Sequence, residues 1–311
     1  MYSDTHNMIN YFLFLQPLRI LKIVYRSMRR FISGYKVVLR YIFSYYFLHK
    51  KNKNLSRLNN LFQSKKFGVE NRKLKILYIV HNKSVWKTDS LFKKFSSDSS
   101  FEQLILVVPY ARFGDETMYR DIMETYQYFH SKGYATVNAL DSMGKFLKVD
   151  KIYDPDLVFF SSPFNLGLEK YYRDVYLKYT CCYVPYYYEM SALWNAKMQY
   201  GSEFHRMMYK VFAPHEVSAK SYLAHSSLKQ SNIALVGYPA MEPFMNNEYS
   251  PISPWKTQDK LKFKIIWAPH HTIDSPELPY ANFLKYAEFF KDLVERYQDS
   301  IQWAFKPHPI L

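Results

Sequence analysis

Two short stretches near the end of the chain gather residue types that do polar chemistry. Pro269-His270-His271-Thr272 follows the apolar run at 263–268, and Lys306-Pro307-His308-Pro309 follows the run at 301–305. An imidazole can accept or donate a proton near neutral pH, and a lysine supplies a compact positive charge. The prolines flanking His308 restrict φ on either side and hold its backbone extended. A histidine clamped this way beside Lys306 suits a group positioned against a charged substrate. The plainer readings are packed histidines at 270 and 271, and a strand-ending turn at 306–309.

The elements that position these residues read strand, helix, strand. Phe263, Ile265, Ile266, Trp267 and Ala268 form one strand; Ile301, Trp303, Ala304 and Phe305 form another; a helix is expected from about Pro276 to Tyr297. Parallel strands joined by a helix put both loops at one carboxyl edge, where open α/β sheets bind ligands. Ser275 before Pro276 is a good helix start, and free amides there favour an anion. Asp274 and Glu277 in the same turn oppose a phosphate unless they face away. Adjacent histidines rarely ligate one metal, so His270, His271 and Thr272 read as hydrogen-bond donors, with no metal expected.

A third stretch, Tyr183-Val184-Pro185-Tyr186-Tyr187-Tyr188-Glu189, follows an earlier strand. The three tyrosines, Tyr186, Tyr187 and Tyr188, followed by Glu189, are candidates to stack on or hydrogen-bond a sugar or polyol across a cleft; as an aromatic patch they equally suit a core. His81-Asn82 is a weaker candidate of the same kind. His215 and Glu216 read as helix caps.

Composition narrows the class. The 311 residues, 48% hydrophobic and 19% aromatic, suffice for two domains with real cores. Eight glycines disfavour a Gly-rich phosphate loop, and no GxSxG, HExxH, Walker or GxGxxG pattern occurs. Cys181 and Cys182 are the only cysteines. As neighbours on a strand they point to opposite faces and form neither a bridge nor a zinc site, so a reducing compartment is the default.

The net charge of +15 is concentrated near the start of the chain. Up to Leu74 there are fifteen Lys/Arg against two acidic residues, Asp4 and Glu70. From Leu18 to about His49, Arg19, Lys22, Arg26, Arg29, Arg30, Lys36 and Arg40 fall largely on one helical face. Apolar and aromatic residues lie opposite, the pattern of an interfacial helix on anionic lipid. The alternative is a solvated basic face docked on the protein itself. No signal peptide or spanning helix is read. A nucleic-acid role would rest on the arm alone, so no nucleic-acid partner is expected.

In chain order, residues 1–60 read as the basic helical arm and 61–73 as a linker. Strands are expected at 74–80, 104–108, 136–139, 157–161, 181–185, 211–213 and 233–236. Helices are expected at 85–95, 116–131, 168–178, 192–208 and 217–227. Short apolar strands alternating with helices predict an α/β, doubly wound parallel sheet over 74–239. Residues 240–262 read as a linker, and 263–311 as the start of a second such domain. Two strands and a helix bury no core alone, so these elements either begin a longer domain or extend the first sheet.

The segments VFAPHEVSAKSYLA, NIALVGYPAME, KIIWAPHHTI and WAFKPHP resemble the CDP-glycerol glycerophosphotransferase family, over about Leu74 to Leu311. That resemblance implies a GT-B architecture of two Rossmann-like domains. It also implies a peripheral enzyme on the cytoplasmic face of the bacterial membrane, making teichoic acid or capsule. The implied partners are CDP-glycerol or a related CDP-polyol, a lipid-linked polymer acceptor and an anionic membrane surface, with no cofactor. His308 and His271 then become the catalytic candidates. Lys306, His270, Thr272 and Ser275 become the nucleotide and diphosphate contacts, and Tyr186, Tyr187 and Glu189 the acceptor contacts. Two departures stand out. Val184-Pro185-Tyr186-Tyr187 occupies the place of the family's His-Gly-Thr motif, and the family's acidic, Ser-rich stretch after its HP motif does not follow here. The other expectations are a GT-B sugar-nucleotide glycosyltransferase and an inactive, truncated remnant.

Overall fold

The computed structural model describes residues 72–111, 114–189, 196–225, 232–246, 250, 252–257, 259–273 and 281–308, with isolated positions between 49 and 63. The basic arm (Arg19, Lys22, Arg26, Arg29, Arg30, Lys36, Arg40), Ser275 and Pro309 lie outside the described residues. The chain divides into two compact units at Ala240/Met241.

The first unit is built on β1 (Leu74–Val80), whose unbroken apolar run fits a strand covered on both faces. It pairs in parallel with β2 (Phe101–Val107) and β4 (Leu157–Phe160). β3 (Thr136–Asn138) joins outside β2, while β5 (Cys181–Tyr183), β6 (Lys210–Ala213) and β7 (Ile233–Leu235) continue beyond β4. The resulting order, β3-β2-β1-β4-β5-β6-β7, is parallel throughout and makes the doubly wound sheet expected from the sequence.

Helices α1 (Asp89–Ser96), α2 (Asp115–Ser131), α3 (Val149–Ile152), α4 (Arg173–Lys178), α5 (Ala196–Tyr200), α6 (Glu203–Met207) and α7 (Glu216–His225) connect the strands. Leu77, Ile79, Cys181 and Tyr183 face one core; Ile76, Tyr78, Val80 and Cys182 face the other. The two cysteines are buried, unbridged and on opposite faces, as strand alternation requires.

Three expected helices are interrupted. Asn82 Oδ1 accepts from Ser84 N and caps a short 3₁₀ turn at Lys83–Val85, so α1 starts only at Asp89. A second 3₁₀ turn, Glu169–Tyr171, precedes α4. The helix expected over 192–208 breaks between α5 and α6 at Gly201. A Cβ there would meet the His225 carbonyl at 2.7 Å, so the chain passes too close for a side chain.

The second unit contains a helical turn, α8 (Glu242–Met245), then β8 (Phe263–Trp267), α9 (Phe283–Arg296) and β9 (Ile301–Phe305). β8 and β9 pair in parallel as a separate two-stranded sheet and do not extend the first. Trp267 packs against Phe283, Phe290 and Phe305, and Phe290 meets Trp303, fastening α9 to one face. The described helix begins after Asn282; its expected start at Pro276 lies outside the described residues. Among the described residues no helix is long and apolar enough to cross a membrane.

Candidate functional site

The register of the second unit sets its edge. Trp267 pairs with Phe305, and Lys306 N donates to Trp267 O (2.9 Å), extending the ladder one residue. His270 and His308 each lie three residues beyond that pair, so the two loops leave the sheet side by side.

Their imidazoles form one cluster. His271 lies 4.3 Å from His270 and 4.4 Å from His308 between ring centroids, with His270 and His308 6.2 Å apart. Thr272 is buried and locks His270: the Thr272 backbone N–H points to His270 Nδ1 (3.4 Å), and its hydroxyl lies 2.9 Å from the same atom. With Nδ1 accepting, Nε2 carries the His270 hydrogen. His271 Nδ1 is buried without a hydrogen-bond partner among the described residues.

Burial, and then the neighbouring imidazoles His308 and His270, hold His271 below the ordinary histidine pKa. Burial, His270 and Lys306 do the same to His308. Both rings therefore stay neutral at pH 7 and can accept a proton, while the exposed Lys306 supplies positive charge at the same edge. The sequence-predicted residues His270, His271, Thr272, Lys306 and His308 are thus brought together. The amides opening α9 follow Asn282, and Ser275 lies outside the described residues. Among the described residues no group of three His, Cys, Asp or Glu has a metal-holding arrangement.

The first unit has its own carboxyl edge, and the loop after β5 is fastened there from four sides. Tyr238 donates its hydroxyl to Tyr186 O (2.9 Å) and Tyr200 to Glu189 O (3.0 Å). His215 accepts from Ser218 N at Nδ1 (3.1 Å), capping α7 as its position suggests. Its Nε2–H is left to donate to Tyr188 O (2.8 Å). Tyr222 donates to Glu189 Oε1.

Glu189 is the one described non-glycine residue with positive φ (58°), and only 1% of it is exposed. Tyr183 approaches the same Oε1 at 3.5 Å, while Oε2 has no partner among the described residues. Burial pushes its carboxyl up to about 7, against the opposing hydrogen bonds of Tyr222, Ser218 and Tyr183. Glu189 therefore points inward, Tyr186 and Tyr187 are half-buried, and Tyr188 is the loop's exposed ring. The sequence does not single out Tyr222 or Tyr238 as site residues; the Gly237-Tyr238-Pro239 turn is the available signal for Tyr238.

His81 and Asn82 have structural surroundings. His81 is 5% exposed, packs near Tyr110, and is pushed down to about 4 by burial.

No protein-family model matches the chain, and no curated protein matches it in sequence. Among solved structures it is similar to S. aureus MnaA, solved with UDP. That pair is 14% identical over 76% of this chain and 63% of that one, with a TM-score of 0.47. It is also similar to Anabaena HepE in complex with UDP and glucose (9% identical, 75% and 69% covered, TM-score 0.39). A third is a glycosyltransferase from Rickettsia africae ESF-5 (12%, 76% and 69%, TM-score 0.38). The chain spans less than two thirds of the length of the first of these. At such identities and TM-scores the likenesses assign no activity. The protein has a doubly wound α/β sheet in its first unit and a histidine cluster at the carboxyl edge of its second.

Proposed function

We propose that the protein is a GT-B-type, membrane-peripheral transferase. In this reading it moves glycerol phosphate, or a related polyol phosphate, from a CDP-linked donor to a hydroxyl of a lipid-linked surface polymer. The observation that carries the proposal is the His270–His271–His308 cluster beside Lys306 at the β8–β9 edge. The three histidines fall in the motifs at 268–272 and 306–309 that resemble the glycerophosphotransferase family.

The reaction needs a base for the attacking hydroxyl and groups that stabilise the leaving diphosphate. A neutral His308, supported by His271, fits the first need. Lys306, with a hydrogen bond from His270 Nε2, fits the second, and Thr272 holds His270 in place for it. The basic arm at residues 1–60 would hold the enzyme at the cytoplasmic membrane face where a lipid-linked acceptor resides, each cation contributing about 1 kcal/mol on anionic lipid.

The test is thermal stabilisation by CDP-glycerol, CDP-ribitol and UDP-sugars, compared in wild type and His308→Ala. A shift with a CDP-polyol that the variant loses supports the reading. A shift only with UDP-sugars makes the protein a sugar-nucleotide glycosyltransferase instead. For the arm, deleting residues 1–60 is expected to release the protein from anionic liposomes; unchanged binding refutes that part.

A further inference from the structure

Three neighbouring strands of the first unit each send one aromatic ring to the same place. Tyr188 follows β5, His215 follows β6 and Tyr238 follows β7. The Tyr188 ring lies 4.6 Å from His215 at 42° and 5.8 Å from Tyr238 at 74°. Besides meeting these two rings, Tyr188 stays open to solvent, with 47% of the residue exposed. Its backbone is not free to move, because His215 holds the Tyr188 carbonyl and Tyr238 holds that of Tyr186. Gly237, at φ 94°, makes the turn that delivers Tyr238. A rigid, half-open aromatic group at the carboxyl edge of a parallel sheet is placed where such sheets take ligands.

We propose that Tyr188, His215 and Tyr238 form a stacking subsite for a carbohydrate ring. The face of an aromatic ring is the negative part of its quadrupole and attracts the polarised C–H groups on one face of a pyranose. Glu216, next to His215, pairs with Lys220 at 3.4 Å, and cytidine monophosphate in the experiment below tests the nucleotide alternative. That the ring belongs to the acceptor rests on the transferase reading above; the subsite itself does not.

The experiment is saturation-transfer-difference NMR on the full chain with methyl β-D-glucopyranoside, glycerol and cytidine monophosphate. Transfer is expected to the ring C–H protons of the pyranoside, falling at least threefold in Tyr188→Ala and retained in Tyr188→Phe. The His215 and Tyr238 hydrogen bonds go to backbone carbonyls, so neither variant removes them, and circular dichroism confirms the fold. No transfer to the pyranoside, equal transfer in Tyr188→Ala, or a stronger signal on the cytosine protons would each overturn the subsite. Failure of CDP-glycerol to stabilise the protein would overturn the transferase reading while leaving a positive pyranoside result standing.

Discussion

Replacing Glu189 by Gln keeps the shape of the side chain and removes its titration. Burial raises this carboxyl from 4.5 to about 7, so the folded protein holds a proton that the unfolded chain releases. Stability contributed by this group is therefore complete below pH 4.5 and is lost as pH rises through 7. A shift of this size corresponds to about 3 kcal/mol.

Two buried histidines act in the opposite direction. His81 is lowered to about 4 and His205 to about 3, both by burial. Their neutral forms contribute stability that is complete above pH 6.5 and lost as pH falls through those values. The wild-type curve mixes the three, and subtracting it from the variant isolates Glu189. Urea unfolding followed by circular dichroism, from pH 4.5 to 8 at constant ionic strength, measures the difference. Glu189→Gln should gain about 3 kcal/mol relative to wild type across that range, because an amide accepts from Tyr222 at no ionisation cost. A difference flat to within about 0.5 kcal/mol, well below the value derived from the shift, refutes a buried, proton-holding carboxyl.

Gly167→Ala places a methyl 2.3 Å from the Pro109 carbonyl, on backbone that cannot yield cheaply. A loss of about 1–3 kcal/mol is expected in the same urea assay. Arg72 grips the buried Asp156 with two hydrogen bonds, at 2.6 and 2.8 Å. Arg72→Ala should cost about 1–3 kcal/mol, moderated by the Lys75 N–H that still reaches the carboxylate. Because His271 and His308 are both held below 6.5, the acid limb of a pH–rate profile should lie below that value. A limb above 6.5 contradicts neutral imidazoles as the working forms.

The sheet was legible because each strand is short, apolar and bounded by polar or turn residues. β1 is the clearest case, with side chains from both faces buried in separate cores. Helix continuity was less legible because its interruptions come from distant contacts. The break at Gly201 follows from the approach of the His225 carbonyl, which no local pattern announces. The histidine cluster was readable from two loops after paired strands, since parallel register alone brings them together. The tyrosine loop was harder to read. The left-handed turn at Glu189 sends the acid inward and leaves Tyr188 outward, reversing the roles that residue type suggests.

The most direct test of the central claim is glycerol-phosphate transfer from CDP-glycerol to a lipid-linked acceptor, measured for wild type and His308→Ala. A neutral base at the β8–β9 edge predicts transfer by the wild type and a loss of about two orders of magnitude in the variant. Equal rates in the two proteins, with transfer intact, would contradict it.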